Sequence, residues 1–129
     1  PAAAIELNDG TVITGKTSQL LGCASAMLLN ALKHLAGIDE KVLLIVPDVI
    51  IPIQELKLNH LGNKNPRLHT DEVLIALSIS AAGDKNAALA MEQICNLRNC
   101  EMHSSVLLSP TDETILKKLG VRLTCDPKK

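Results

Sequence analysis

The first apolar positions of the chain alternate in the way typical of extended strands. Residues 3–7 and 11–14 are rich in apolar and β-branched side chains, which favour extended backbone. Between them stand Asn8, Asp9 and Gly10, and Asp-Gly is a strong signal for a tight hairpin turn. The pattern therefore predicts a β-hairpin at the start of the chain.

A helical period follows the hairpin. Ser18 is a candidate N-cap, and Gly37 is a candidate end of the helix. Asn30, Lys33 and His34 fall on the opposite, polar face. The spacing predicts an amphipathic helix. Its apolar face comprises Leu20, Ala24, Met27, Leu28, Ala31 and Leu35.

The middle of the chain carries two long apolar runs. Residues 41–50, "KVLLIVPDVI", predict a strand that is covered on both faces, and Pro52 predicts the start of a short helix through Leu58. Thr70 is a candidate cap of the next helix. The apolar residues of that helix, 73–82, surround it on nearly all sides, so we expect it to be buried.

The last third alternates helices and strands. Asp84 is a candidate cap for a helix through about Leu97, and Ser109-Pro110 predicts the start of another. Residues 103–109 and 121–125 predict the fourth and fifth strands. The order β-β-α-β-(α-α-α)-β-α-β predicts one α/β domain over residues 1–129, with three α-β-α layers around a mixed sheet of about five strands.

Composition narrows the function. The chain has 129 residues, a net charge of −1 and no Phe, Trp or Tyr. Because aromatic platforms and a basic cluster are missing, nucleic-acid binding is disfavoured. No apolar run is long enough for a membrane helix, so we expect no membrane partner. Four cysteines without a C-x-x-C pair favour a reducing, cytoplasmic location. A chain that opens on Pro1 is expected to be processed or a fragment.

Residues 10–17, "GTVITGKT", match the phosphate-loop pattern G-x-x-x-x-G-K-[ST]. A phosphate loop needs a flexible turn between a strand and a helix. Here the four middle residues are all β-branched and follow the predicted hairpin turn. The surroundings favour the second hairpin strand over a nucleotide site, so an NTPase is a remote hypothesis.

The predicted order of elements resembles the cytidine-deaminase fold. Zinc deaminases carry [HC]-x-E at one helix start and P-C-x-x-C at another. Here residues 23–25, "CAS", and 110–114, "PTDET", stand at those places. Cys23 is the one thiol that remains, Ser25 replaces the carboxylate, and Thr111 and Thr114 replace the other thiolates. The resemblance therefore implies a zinc-free domain without deaminase activity.

Two long stretches resemble a bacterial family known as domain of unknown function 1846. They are residues 1–38, which begin "PAAAIELNDGTVITGKT", and residues 56–82, which include "LKLNHLGNKNPRLHTDEV". The resemblance implies the C-terminal domain of a protein several times longer. Its partner would be the N-terminal part of that protein, and the aliphatic helices also predict self-association into a homo-oligomer. The family brings no established reaction with it.

Residues 59–72 form the most varied polar stretch. Arg67 and Lys64 suit a small anionic ligand, and His69 next to Asp71 suits an acid/base pair with the carboxylate orienting the ring. Turn chemistry at an ordinary polar surface loop is the alternative explanation. The candidate ligand-binding residues here are His60, Asn63, Lys64, Asn65, Arg67 and Thr70, and the candidate catalytic residues are His69 and Asp71.

Two smaller groups complete the search. Lys16, Thr17 and Ser18 stand before a predicted helix, where an anion is favoured, although capping by Ser18 explains the same residues. The run Cys95-x4-Cys100-x2-His103 invites a zinc interpretation, but four ligands are not in sight and Cys95 falls on an apolar helix face. We therefore expect no metal and no cofactor.

Two functions from different classes remain. The first is a structural and interaction domain that packs against its parent chain or against itself through aliphatic helices. The alternative is an enzyme in which this domain contributes residues 59–72 to an interdomain site for a small anionic metabolite. The sequence leaves open whether any reaction takes place.

Overall fold

A computed structural model describes residues 1–126, so the last three residues of the predicted domain lie outside the described part. The strands are β1 (Ala2–Glu6), β2 (Val12–Lys16), β3 (Glu101–Ser104) and β4 (Arg122–Cys125). The helices are α1 (Cys23–Leu35), α2 (Pro47–Asn59), α3 (Thr70–Ser80), α4 (Lys85–Glu92), a 3₁₀ helix (Ile94–Leu97) and α5 (Pro110–Lys118).

The hairpin prediction is confirmed. Gly10 has a φ of +87°, a conformation that glycine adopts without strain. The side chain of Asp9 accepts a hydrogen bond from the Thr11 N–H at 2.9 Å. The Leu7 N–H donates to the Thr11 carbonyl at 2.8 Å and closes the turn. The residues that match a phosphate loop therefore form a turn followed by β2.

The second glycine of that pattern serves packing. Gly15 is buried in β2, and a Cβ atom built on it would lie 2.1 Å from the Met27 backbone nitrogen of α1. Because no side-chain atom fits in that space, glycine at this position lets the helix backbone lie directly on the strand. Gly10 and Gly15 thus each have a structural explanation that involves no phosphate.

The sheet is mixed, as predicted, with the order β2-β1-β3-β4 within residues 1–126. β1 is antiparallel to both of its neighbours, and β3 and β4 are parallel. The structure therefore has an α/β fold with four strands in the described part, one fewer than expected. The three-layer arrangement and the deaminase-like topology stay predictions.

Helix α1 packs against β1 and β2, while α3 packs against α1, α4 and α5, and α5 contacts β4. The core between these elements is aliphatic, as a chain without aromatic residues requires. Its fully buried members include Ile5, Met27, Leu28, Leu32, Leu68, Leu77, Leu97 and Leu116.

The predicted strand over residues 41–50 is wrong. Residues 40–46 form turns and bends, and α2 begins at Pro47 and includes Pro52 in its interior. The buried Lys33 ammonium donates to the carbonyls of Glu40 at 2.7 Å and Val42 at 3.1 Å. A lysine side chain therefore satisfies backbone acceptors that a neighbouring strand would have to satisfy in a sheet.

Helix α3 forms where the pattern predicts it, but the prediction that it is buried all round is wrong. Val73, Ala76 and Leu77 face the core. Ile75 and Ile79 are 59% and 66% exposed. Helical residues four apart share a face, so these two isoleucines form one apolar stripe on the outside of the helix.

Of the predicted helix caps Asp84, Ser109 and Ser18, the first two are confirmed and the third is not. Asp84 accepts from the N–H groups of Asn86 and Ala87, and Ser109 accepts from that of Asp112, so both caps are confirmed. Ser18 is not the cap of α1, because its hydroxyl accepts from the N–H groups of Leu20 and Leu21 in a separate turn. α1 begins only at Cys23.

Of the last two strands, β4 matches its predicted bounds and β3 does not. β4 at Arg122–Cys125 confirms the prediction over residues 121–125. β3 begins two residues earlier than predicted and ends at Ser104, so Leu107 lies in a loop and is 51% exposed. The helix predicted to run to Leu97 ends at Glu92 and is followed by the short 3₁₀ helix.

Across residues 1–126, the helices are too short or too polar to span a bilayer.

We expect Gly15→Ala to lower the free energy of unfolding by about 3 kcal/mol, the upper end for overpacking, because the helix backbone blocks the new methyl group. Gly83→Ala is the matched control, since its added Cβ meets nothing within 4 Å. The control should change stability by less than about 0.5 kcal/mol. Urea denaturation of both variants measures the difference. Equal stability of the two would contradict the packing explanation.

Candidate functional site

The polar segment over residues 59–72 has two halves that differ in exposure. In its first half, His60, Asn63, Lys64 and Asn65 are exposed. The Asn63 N–H donates to the Lys57 carbonyl at 2.9 Å, and the Asn65 side chain accepts from the Arg67 N–H at 3.0 Å. The backbone is therefore held in turns, while the side chains of His60 and Lys64 reach solvent.

The second half is fixed against the start of α1. Leu68 is fully buried, and its N–H donates to the Leu20 carbonyl at 3.0 Å. The Leu68 carbonyl accepts from the Gly22 N–H at 3.3 Å and from the buried Ser25 hydroxyl at 2.9 Å. The Arg67 guanidinium donates through Nε to the Ser18 carbonyl. This half of the loop works as a structural bridge.

A buried lysine lies beneath the loop. The Lys57 side chain is 2% exposed, and its ammonium donates to Glu72 Oε1 at 2.8 Å and to the Arg67 carbonyl at 2.6 Å. Burying an ammonium is costly unless it is paired and hydrogen-bonded. The carboxylate and the carbonyl together supply that compensation and join α2 to the start of α3.

The charge state of Glu72 depends on these contacts. Burial raises the pKa of Glu72, but hydrogen bonds from the His69 N–H and from Lys57, together with the Lys57 charge, lower it. The balance leaves the pKa of Glu72 below its ordinary value of 4.5. Glu72 is therefore ionised at neutral pH and can neutralise the buried ammonium.

The geometry around His69 differs from the predicted pair. Its backbone N–H donates to Glu72 Oε1 at 2.9 Å, and its Nδ1 lies 3.3 Å from the same oxygen. Glu72, not Asp71, is thus the carboxylate next to the ring. Asp71 has one buried carboxylate oxygen that has no hydrogen-bond partner within residues 1–126. A catalytic function of His69 and Asp71 stays a prediction.

Thr70 is held by another helix. It is the first residue of α3, preceded by His69 at the cap position, so the prediction that Thr70 caps the helix is wrong. Its N–H and its hydroxyl both donate to Asp112 Oδ1, at 2.9 Å and 2.8 Å, in a buried contact. Asp112 belongs to α5, so this double hydrogen bond joins the starts of α3 and α5.

The two segments compared with the deaminase motifs meet at residues 68–70. Ser25, from the first motif position, binds the Leu68 carbonyl, and Asp112, from the second, binds Thr70. Ser25 and Asp112 are therefore engaged in internal contacts, while Thr111 and Thr114, at the two thiolate positions, are exposed. Throughout residues 1–126, no three His, Cys, Asp or Glu side chains are grouped so that they could bind a metal ion.

These contacts also bear on anion binding at the start of α3. A helix N-terminus attracts an anion because its first N–H groups are free. Here the His69 N–H donates to Glu72, and the Thr70 N–H donates to Asp112. Two of the N–H groups at this helix start are therefore already bonded to the domain's own carboxylates.

The second predicted anion site lies apart from any helix start. Lys16 is exposed at the end of β2, and the Thr17 N–H donates to the Pro1 carbonyl at 3.0 Å. Ser18 opens the turn described above, which separates these residues from Cys23. Lys16, Thr17 and Ser18 therefore have no helix N-terminus directly behind them.

The cysteine and histidine candidates also have separate surroundings. Cys95 is exposed in the 3₁₀ helix, so its prediction as an apolar-face residue is wrong. Cys100 is buried, and burial raises the pKa of its thiol. His103 has Nδ1 2.7 Å from the Thr124 hydroxyl and Nε2 3.0 Å from Asp126 Oδ1, which links β3 to β4.

Sequence analysis did not identify the ion pair between Lys57 and Glu72, on which this region depends. One signal for Lys57 was present, because it lies seven positions after the buried Ile50 and so shares its helix face. A lysine on an apolar face is usually exposed at its tip, and nothing in the sequence identified its partner.

The fold and these contacts define a small mixed α/β domain with an internally bonded polar loop. The chain belongs to the family described as "Domain of unknown function DUF1846, C-terminal", whose model matches residues 1–129. It is 62% identical over 128 residues to a UPF0371 protein of Corynebacterium diphtheriae. It is 50% identical over 126 residues to one of Streptococcus thermophilus.

The matches cover nearly all of this chain but only part of each relative. The matches include 99% and 98% of this chain, but only 26% of each relative. The chain therefore spans about a quarter of the length of the curated relatives that it matches.

We expect Glu72→Gln to lower the free energy of unfolding by about 2 kcal/mol at neutral pH, because Lys57 loses a charged hydrogen-bond acceptor. The folded-state pKa of Glu72 lies below its unfolded value, so the carboxylate stabilises the fold above about pH 4.5. That contribution is lost as the pH falls through the folded-state pKa.

The difference between the original protein and Glu72→Gln should therefore shrink below pH 4.5 in denaturation curves taken across the acid range. Glu55→Gln, at an exposed position of α2, is the control and should show little effect at any pH. A Glu72→Gln deficit of the same size at pH 3 and pH 7 would refute the ion-pair explanation.

Proposed function

We propose that this chain is the C-terminal structural and interaction domain of a longer bacterial protein. It would pack against the N-terminal part of that protein. The observation that carries the proposal is the exposure of aliphatic side chains along α2 and α3. Self-association of the longer protein into a homo-oligomer and a cytoplasmic location are further parts of the proposal.

The stripe on α3 is the clearest part of this surface. Ile75 and Ile79 are more than half exposed and lie opposite the core-facing residues Val73 and Leu77. A helix that is apolar on two faces is typical of an element buried on both sides. We therefore expect the outer face of α3 to be covered in the longer protein.

Helix α2 also exposes aliphatic side chains. Ile51 and Leu58 lie seven residues apart and are 42% and 44% exposed, while Leu56 on the other flank is 48% exposed. Leu61, just after the helix, is 61% exposed. Large exposed aliphatic areas usually mark an interaction site.

The parent chain is the proposed partner because the related proteins are much longer than this chain. The related proteins extend well beyond the matched region, since this chain covers 26% of them. A covalently attached neighbour is present at high effective concentration, so a modest apolar surface is sufficient for docking. A second copy is the other partner that the experiment below must distinguish.

We expect the double variant Ile75→Lys, Ile79→Lys to weaken docking in the longer protein. Burial of each isoleucine contributes about 1.5–3 kcal/mol, so the loss should appear as a lower melting temperature or as a separate transition of this domain. Leu107→Lys is the control, because it places one lysine, half the charge of the double variant, at an exposed loop leucine outside the two helices.

Light scattering on the same samples separates the two partners. A less stable domain in a protein of unchanged subunit number supports docking onto the parent chain. A loss of subunits points to a second copy instead. A double variant as stable and as large as Leu107→Lys would overturn the interaction proposal.

A second candidate is the interdomain site for a small anionic metabolite. The exposed side chains of His60 and Lys64 favour it, because they carry no internal contact that a ligand would have to displace within the described residues. Under this candidate, residues 60–65 would face a cleft formed with the rest of the longer protein.

A thermal-shift panel of phosphorylated metabolites and nucleotides on the longer protein tests that candidate. A ligand at about a hundred times its dissociation constant adds about 2.7 kcal/mol of stability. The response should vanish in His60→Ala, Lys64→Ala and persist in the control His34→Ala, Lys117→Ala, which removes the same side-chain types from α1 and α5. Silence across the panel would count against the site.

A further inference from the structure

One edge of the sheet has its backbone groups turned toward a groove. β2 is the outermost strand next to β1. The Leu7 N–H bonds to the Thr11 carbonyl and the Thr17 N–H bonds to the Pro1 carbonyl. Antiparallel pairs alternate between bonded and non-bonded, so Ile13 and Gly15 bond inward to β1. The backbone groups of Val12, Thr14 and Lys16 therefore point outward.

Most of these outward backbone groups have no hydrogen-bond partner within residues 1–126. The Asn30 side chain donates to the Thr14 carbonyl at 2.9 Å, which confirms that this carbonyl points away from β1. The N–H groups of Val12, Thr14 and Lys16 have no partner among the described residues. A free edge of this kind is a template for another strand, and proteins normally block or cover it.

A groove of about 880 Å³ runs beside this edge. Its floor and walls are formed by β2, by α1 and by the segment over residues 38–41. The α1 side presents Asn30 and His34, and the far wall presents Ile38 and Lys41. The groove therefore brings together Val12 and Thr14 of the strand edge, the polar side of α1 and the segment over residues 38–41.

We propose that an extended segment from outside residues 1–129 of the longer protein adds to β2 as a further strand of the sheet. Main-chain hydrogen bonds to Val12, Thr14 and Lys16 would provide the affinity, as in other cases of strand addition. The proposal rests on the proposed function, in that the chain works as a domain of a longer protein.

The groove favours a single segment over the edge of a second copy. Residues 38–41 line the same groove as Val12 and Thr14 of β2. Two β2 edges brought together would also bring together their two walls. The related proteins provide ample additional chain, because the matched region is 26% of their length.

The surroundings also define the chemistry of that segment. Side chains alternate across a strand, and Gly15 faces α1, so Val12, Thr14 and Lys16 face the other side of the sheet. Val12 is 60% exposed there. The added strand should place an apolar or β-branched residue opposite Val12 and polar residues on the side of Asn30 and His34.

Amide hydrogen exchange in the longer protein tests the proposal at single residues. The amides of Val12, Thr14 and Lys16 should exchange at least about 100-fold more slowly than in an unstructured peptide, like the inward amides of Ile13 and Gly15. Fast exchange at the three outward amides beside slow exchange at the two inward ones would overturn it.

A pair of variants sharpens the test. Thr14→Pro removes an outward N–H and leaves the β1 ladder complete, which edge strands tolerate. It should abolish protection at Val12 and Lys16, while Thr14→Val, which keeps the N–H, should preserve it. Protection that disappears on dilution to single subunits would assign the edge to a second copy and reject the proposal. These readouts do not depend on the α3 stripe, so the two proposals can fail separately.

Discussion

The structure depends on the hydrogen bonds made by residues 68–70. This short segment crosses the domain interior, where an unpaired backbone polar group is costly. The Leu68 carbonyl is satisfied by Gly22 and Ser25 at the start of α1, and Thr70 is satisfied by Asp112 of α5. Because the segment also leads into α3, three helix starts are held around it. These hydrogen bonds join the start of α3 to the starts of α1 and α5.

A polar loop that holds a fold together has few groups left for a ligand. Arg67, which the sequence predicts as a ligand-binding residue, bonds to Ser18. Glu72 bonds to Lys57 within the domain. Within residues 1–126, aliphatic helix faces and a strand edge are also left uncovered. Surfaces of these kinds are completed by protein, whereas a metabolite site needs convergent polar groups. This contrast is the reason that we propose an interaction domain.

Two short patterns in this chain show how structural requirements imitate functional motifs. The glycines of a phosphate loop provide freedom for phosphate contacts. In this chain Gly10 adopts a positive φ in a hairpin turn, and Gly15 admits the backbone of α1. Similarly, Ser25 stands where deaminases carry the catalytic carboxylate, and Asp112 lies between the two positions of the metal-binding thiolates, but both bond to the crossing segment. A motif therefore becomes a site only when its polar groups are free to meet a ligand.

The sequence by itself determined the hairpin, α1, the caps at Asp84 and Ser109, the mixed α/β class and the family. These features depend on local backbone preference, on period or on similarity along the chain. Tertiary structure decided the conformation of residues 41–50, where turns and the start of α2 replace the predicted strand and the Lys33 ammonium bonds to the carbonyls of Glu40 and Val42. It also decided the partner of His69 and the pairing of Lys57 with Glu72. Those outcomes depend on contacts between distant segments, and no local pattern specifies which buried charge meets which acceptor.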